Sequence, residues 1–152
     1  MSDSGLTVVF TDGACIGNPG PGGWAWAISR EDFESGADAK TTNQRMELTA
    51  ALRAVGALPG ELEVVSDSTY VVNCFRDRWW KGWRERSWRN SRGAPVANRD
   101  LWEPLVAEVV DHRPGEVRFR WVKGHAGDTM NELVDMLAND AARTGEGAAK
   151  HP

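Results

Sequence analysis

Four carboxylates and one histidine stand where acid–base or metal chemistry could be done. Asp12 is the second residue of the Gly/Pro/Asn-rich stretch TDGACIGNPGPGG, Thr11 to Gly23, which follows the apolar run Leu6–Phe10 where the strand gives way to a loop. Glu47 falls in the first turn of a segment opened by Thr42-Asn43-Gln44-Arg45-Met46, and Asp67 ends the short run LEVVS. Asp135 lies near the start of the last helical pattern, and His125 sits in the small-residue loop Lys123–Asp128 before it. Each has an ordinary explanation on its own. A turn aspartate caps backbone N–H groups, a helix-start glutamate is favoured by the macrodipole, and an aspartate before a helix is an N-cap. Asp135 alone reads as a solvated helix acid and His125 alone as a surface loop residue. Taken together they permit a sharper reading. If these element ends meet on one rim, mutual repulsion in a poorly solvated pocket must be relieved by protonation or bound cations. An all-oxygen set suits Mg²⁺ or Mn²⁺ rather than zinc. Two such ions, roughly 4 Å apart, can activate a water and stabilise the leaving oxygen of a phosphodiester.

The elements that must position these groups follow from periodicity. Leu6–Phe10 reads as a buried strand, and Gly23–Arg30 alternates Trp24, Trp26 and Ile28 with small residues, a second strand. Phe33–Thr42 is a third, and such closely joined strands form an antiparallel meander. Leu48, Ala51, Leu52, Val55 and Leu58 recur at helical spacing until Pro59-Gly60. Leu62–Ser66 is a short strand leading into a helix over Thr69–Phe75, and Glu116–Val122 is the last strand. Between them Arg99–His112 is amphipathic and core-facing. Strand, crossover helix and return strand make the α/β pattern, whose sites gather at the carboxyl ends of strands. Asn131–Ala142 is the closing helix, and 144–152 lacks an apolar face and reads as a disordered tail after a single domain over 1–143.

The chain has 152 residues, 41% of them hydrophobic, enough for one core, and no run long enough to span a bilayer. Its start, MSDSG, lacks a basic region followed by an apolar one, so a cytoplasmic, unprocessed protein is expected, with Cys15 and Cys74 as reduced thiols. Net charge is −4, yet eight basic residues face only Asp77 and Glu85 between Arg76 and Arg99, so this stretch carries +6. Four of the eight tryptophans lie among them, in RDRWWKGWRERSWRNSR. Trp is often core and Arg often solvates a face. Buried tryptophans in so polar a run would have little to pack with, however, so arginines for phosphates and flat rings for sugars or bases is the better account.

In this order, the motifs TDGACIGNPGPGG, TTNQRMEL, SDSTYV, WWKGW with NRDLW, and VKGHAG with Asn131-Glu132 and Asp135 make the chain, from Leu6 to Arg143, resemble a type 1 ribonuclease H of the bacterial kind. The resemblance implies a ribonuclease H-like α/β fold: a mixed five-stranded sheet, antiparallel meander plus parallel strands, flanked by helices and bearing a basic Trp-rich protrusion. It implies a monomeric endonuclease cutting the RNA strand of RNA–DNA hybrids without sequence preference, leaving 5′-phosphate and 3′-hydroxyl ends, with two Mg²⁺ (or Mn²⁺) ions. Asp12, Glu47, Asp67 and Asp135 match the family's metal-binding acids, and His125 its mobile-loop histidine. Cys15, Asn18, Asn43 and Gln44 match minor-groove contacts, Thr42 with Asn18 a pocket for a DNA phosphate, and Trp79, Trp83, Arg84 and Asn98 the protrusion holding the DNA strand. Thr69 and Asn73 fall among the substrate-binding positions too, although Thr69 stands where many relatives have Gln and Gln44 where Asn is commoner. Neutral Asn and Gln groups suit recognition of 2′-hydroxyls.

Overall fold

The computed structural model describes residues 5–124 and 128–152. Strands β1 (Thr7–Cys15), β2 (Gly20–Ser29) and β3 (Asp32–Thr41) form the expected antiparallel meander. Helix α1 (Asn43–Ala57) then crosses over to β4 (Leu62–Ser66), which pairs parallel with β1. After α2 (Thr69–Arg76), α3 (Trp79–Glu85) and α4 (Arg99–Val106), β5 (Val117–Trp121) pairs parallel with β4. The amphipathic stretch expected as one helix holds Pro104, and its α-helical part widens into a π-helical segment, Ala107–His112. Helix α5 (Thr129–Thr144) closes the main body.

The sheet has six strands where five were expected, in the order β5-β4-β1-β2-β3-β6. The extra one is β6 (Ala149–Lys150), in the segment expected to be a disordered tail, and it pairs antiparallel with β3. Its hold is polar, which is why an apolar periodicity gave no hint of it. Ser35 N–H donates to Ala148 C=O at 2.7 Å, Ala148 N–H to Ser35 Oγ at 2.9 Å, and Lys150 pairs with Glu31 at 2.7 Å. His151 Nδ1 lies 2.9 Å from Asp32 Oδ1.

Both faces of the sheet are covered. On one, Val9, Trp24, Trp26, Leu62 and Val64 meet α1 through Met46, Ala51, Ala54 and Val55, with Val71, Trp102 and Leu105 completing the core. On the other, Ala14, Ala25 and Ala27 meet Leu133, Val134, Leu137 and Ala138 of α5. Strand β2 therefore buries large rings on one side and alanines on the other; its small residues are a docking surface for a helix. Two glycines let the helices come this close. A methyl group at Gly13 would collide with the backbone of Met46 and Glu47, and one at Gly23 with Ala138 C=O and Ala142 N of α5. Because α1 lies on β1 at Gly13, Glu47 comes to rest beside Asp12. No helix among the described residues is long and apolar enough to cross a membrane.

Candidate active site

Three of the ordinary explanations for the acids change once the elements are placed. Asp12 is not at the end of its strand: β1 continues to Cys15, and Asp12 pairs across to Ala25 in β2. Its Oδ1 does accept from Gly13 N–H at 2.8 Å, but at 6% exposure it sits in a buried wall rather than a surface turn. Glu47 is not in the first turn of α1. Thr42 is the N-cap, accepting from Arg45 N–H, so the first turn ends before Glu47 and contains no acid. Asp67 is not an N-cap either, because Ser68 fills that role for α2 by accepting from Val71 N–H. Capping and dipole therefore account for neither Glu47 nor Asp67.

What the acids share is one another. Asp12, Glu47 and Asp67 each bring a carboxylate oxygen to within 4.8 Å of the other two. Asp135, in the second turn of α5, is outside that triad but raises the pKa of Asp12 both by its charge and as a hydrogen-bond partner. Its own carboxylate is steadied by Asn139 Nδ2, which donates to Asp135 Oδ1 at 3.2 Å. Burial first, then the charge of Asp67, pushes the Asp12 carboxyl up to about 8 from its ordinary 3.8; the Gly13 N–H works against this. Burial, then Asp12 and Asp67, pushes Glu47 well above the usual glutamate range. In addition, Glu47 Oε1 is buried with no hydrogen-bond partner among the described residues.

Such an oxygen is costly to bury alone and is satisfied by a proton or a cation. Hard-oxygen donors and the absence of His or Cys from the triad fit a Mg²⁺-like ion better than zinc. Ligands on opposite sides of Mg²⁺ lie about 4.2 Å apart, so small side-chain movements would close the triad around one. His125, expected to join this site, lies outside the described residues.

Most of the remaining predicted positions are exposed or half-buried. Asn18 is exposed, and its Oδ1 accepts from Asn43 N–H at 3.0 Å, while Thr42 Oγ1 accepts from Arg45 N–H at 3.2 Å. Both caps use acceptor oxygens, which leaves the Asn18 amide hydrogens and the Thr42 hydroxyl proton to donate to an anion. Asn43, Gln44 and Thr69 are exposed, and Cys15 and Asn73 are half-buried. The Cys15 thiol lies 3.4 Å from Thr41 C=O. Both cysteines are free, and burial pushes the Cys74 thiol up to about 12.

The Trp-rich element differs from expectation in one respect. Its tryptophans do find packing partners: each other and the core. Trp88 is buried, and Trp83 stands 6.0 Å from Trp88, 5.4 Å from Trp102 and 6.2 Å from Trp79 between ring centroids. The partners missing from the local sequence come from α2 and α4, through Tyr70 and Trp102. Trp79, Trp80 and Trp83 remain half-buried, so one side of each can still meet a ligand. Arg84 is held by Asp111 through two hydrogen bonds of 3.0 and 2.7 Å, and Asn98 by Arg45 and Tyr70. Those two residues, Tyr70 and Arg45, were missed as site residues from sequence; only their place inside the SDSTYV and TTNQRMEL motifs could have pointed to them.

Comparison with known proteins agrees with this architecture. The family model described as RNase H matches residues 4–143. A ribonuclease H of Thermus thermophilus is 48% identical over 149 residues, covering 95% of this chain and 86% of that protein. One from Granulibacter bethesdensis is 48% identical over 150 residues, covering 95% and 97%. Among solved structures, the crystal structure of LC9-RNase H1, a type 1 RNase H with the type 2 active-site motif, superposes with a TM-score of 0.76 at 29% identity, covering 99% of this chain and 80% of that one. A sheet whose parallel and antiparallel halves meet at β1, acids converging on it, and relatives matched nearly end to end place the chain in the RNase H family, as a nuclease of the ribonuclease H kind.

Proposed function

We propose that this protein cuts the RNA strand of RNA–DNA hybrids internally, with Mg²⁺ or Mn²⁺, leaving 5′-phosphate and 3′-hydroxyl ends. The observation that carries this reading is the triad Asp12–Glu47–Asp67, Asp12 buried and the other two half-buried, with a Glu47 Oε1 that finds no partner among the described residues. Asp12, Glu47, Asp67 and Asp135 hold two divalent ions, which supply charge to activate a water and to stabilise the departing oxygen. The rigid sheet and the close seating of α1 and α5 fix the four carboxylates before substrate arrives. His125 serves proton transfer near neutral pH, as an imidazole can.

Recognition is by sugar and shape. Exposed Asn43 and Gln44, with Asn18, Cys15, Thr69 and Asn73, face the minor groove, where 2′-hydroxyls distinguish RNA from DNA. Thr42 and Asn18 donate to a DNA phosphate, and Trp79, Trp83, Arg84 and Asn98 hold the DNA strand beyond it. The enzyme works as a monomer.

The test is cleavage of an end-labelled hybrid with Mg²⁺, with DNA duplex and RNA duplex as competitors. Internal RNA cuts bearing 5′-phosphates, abolished by Asp12→Asn and by chelation, are expected, with neither duplex competing well. Full activity of Asp12→Asn, or substrate that persists equally with and without metal, would overturn it; the second result would describe a protein that holds hybrids without cutting them.

A further inference from the structure

The side chain of Asn98 is wired into the protein at both ends of its amide. Asn98 has a left-handed backbone conformation at the start of α4, with φ 61°. Its Oδ1 accepts from Arg45 Nη1 at 3.3 Å, and its Nδ2 donates to Tyr70 Oη at 3.1 Å. Arg45 is itself fixed by Asp100, through hydrogen bonds of 2.9 and 2.7 Å to the two carboxylate oxygens. The Tyr70 hydroxyl also accepts from Trp102 Nε1 at 2.8 Å, and Trp102 is fully buried. Tyr70 thus has an oxygen already committed as acceptor, and Arg45 has only donors. Arg45 therefore sets the polarity, because a flipped Asn98 amide would place NH₂ against guanidinium, while Tyr70 takes up one amide N–H and holds the group in place.

We propose that Tyr70 and Arg45 are positioning residues: by locking the Asn98 carboxamide they make it present its second N–H, and not its oxygen, to a phosphate of the DNA strand. That second N–H has no partner among the described residues, and Asn98 is half-buried, so one donor remains available. The polarity matters because a phosphodiester offers only acceptors. An amide turned the other way would place an oxygen against an anionic oxygen and repel what it should hold. The lock also joins two regions that must meet one duplex. Arg45 belongs to the first turn of α1, beside Asn43 and Gln44, while Tyr70 packs on Trp79 and Trp102 of the Trp-rich side. The proposal rests on the hybrid-binding reading above.

Steady-state cleavage of a hybrid with Mg²⁺ tests it, using Tyr70→Phe, Arg45→Met, Asn98→Asp and Asn98→Ala, with melting followed alongside. Tyr70→Phe and Arg45→Met should each raise KM about three- to tenfold, the worth of one hydrogen bond, with kcat nearly unchanged. Adding Asn98→Ala to Tyr70→Phe should cost little more, because both act on one contact. Asn98→Asp offers oxygens only; it should raise KM more than Asn98→Ala does while keeping or raising the melting temperature, since the carboxylate pairs with Arg45. Arg45→Met leaves the buried Trp102 N–H satisfied, so it remains informative if Tyr70→Phe folds poorly. Wild-type KM in Arg45→Met, additive losses in the double variant, or Asn98→Asp binding as well as wild type would each overturn the lock. A wild-type protein that does not cleave hybrids at all is a separate failure, of the function and not of the positioning.

Discussion

The acid pocket and the Trp-rich element are built on opposite principles. The pocket gathers groups that repel: burial and the charges of neighbouring acids push Asp12 and Glu47 toward their protonated forms. The Gly13 N–H offsets only part of this, and the sheet with the close helix contacts at Gly13 and Gly23 holds them in place from outside. The Trp-rich element gathers groups that attract. Trp79, Trp88 and Trp102 pack around Trp83, and Arg84, Arg86 and Arg89 are tied to Asp111 or to backbone carbonyls. A site that costs stability is explained by its chemistry. A cluster that adds stability has to be shown separately to have any. Substitutions should therefore behave differently in the two regions.

Glu47→Gln should give the largest effect. It preserves shape but removes the charge that an ion needs at the buried Oε1. Turnover should fall about a thousandfold, in the range seen when one electrostatic group is removed from a preorganised site. The metal-free protein should melt no lower than wild type. Loss of activity accompanied by loss of fold would mean that Glu47 has a structural task.

Trp83→Ala comes next, with the emphasis reversed. Truncating a ring in contact with three other tryptophans should cost about 3 kcal/mol of stability, and hybrid binding should weaken while single-turnover cleavage of bound substrate is largely kept. Trp83→Phe separates the two roles: it restores most of the packing, so any binding loss that remains belongs to the exposed side of the ring. Equal losses in binding and cleavage at full stability would remove the distinction between the regions.

The same contrast decides what could be read from sequence. Asp12, Glu47 and Asp67 were legible because residue type and element boundary survive small errors of placement. Glu47 was assigned to the first turn of α1 and Asp12 to a strand end, and both assignments were off by a few residues without harm to the convergence. The meander, the crossover and the closing helix were legible from periodicity. The packing of the tryptophans was not, because their partners Tyr70 and Trp102 come from elsewhere in the chain and no local pattern encodes that contact. Strand β6 was hidden for a related reason: edge pairing through backbone groups and through Ser35, Glu31 and Asp32 needs no apolar alternation. Tyr70 and Arg45 escaped notice because a hydrogen bond spanning 28 or 53 positions leaves no trace in either segment.

A smaller effect should appear in stability against pH. In the metal-free protein Asp12 keeps its proton up to about pH 8, whereas in the unfolded chain it loses it near 3.8. Between these values the folded state binds more protons than the unfolded state, so stability falls as pH rises through that window. Asp12→Asn cannot ionise and should flatten the fall, gaining on the order of 2 kcal/mol over wild type near pH 8 and little near pH 4. Saturating Mg²⁺ should restore wild-type stability at the alkaline end and do little for the variant. An unchanged pH profile in Asp12→Asn would show that the pocket is relieved by some other route.

The smallest effect concerns Arg84. It lies 5.5 Å from the Trp80 ring centroid and is held by Asp111, whose carboxyl it keeps below the usual aspartate range. Both members are substantially exposed, so the pair contributes little to folding. It does, however, neutralise a cation that hybrid binding would use: to reach a phosphate, Arg84 must leave a carboxylate that already satisfies two of its N–H groups. Asp111→Asn weakens that competitor. It should tighten hybrid binding about twofold and make affinity fall slightly more steeply with salt, as expected when a cation is released to phosphates. Arg84→Met should shift both quantities the other way, while melting stays nearly constant in either variant. If Asp111→Asn instead loosens binding, Asp111 is there to aim the guanidinium, and the Trp-rich element would then share the preorganised character of the acid pocket.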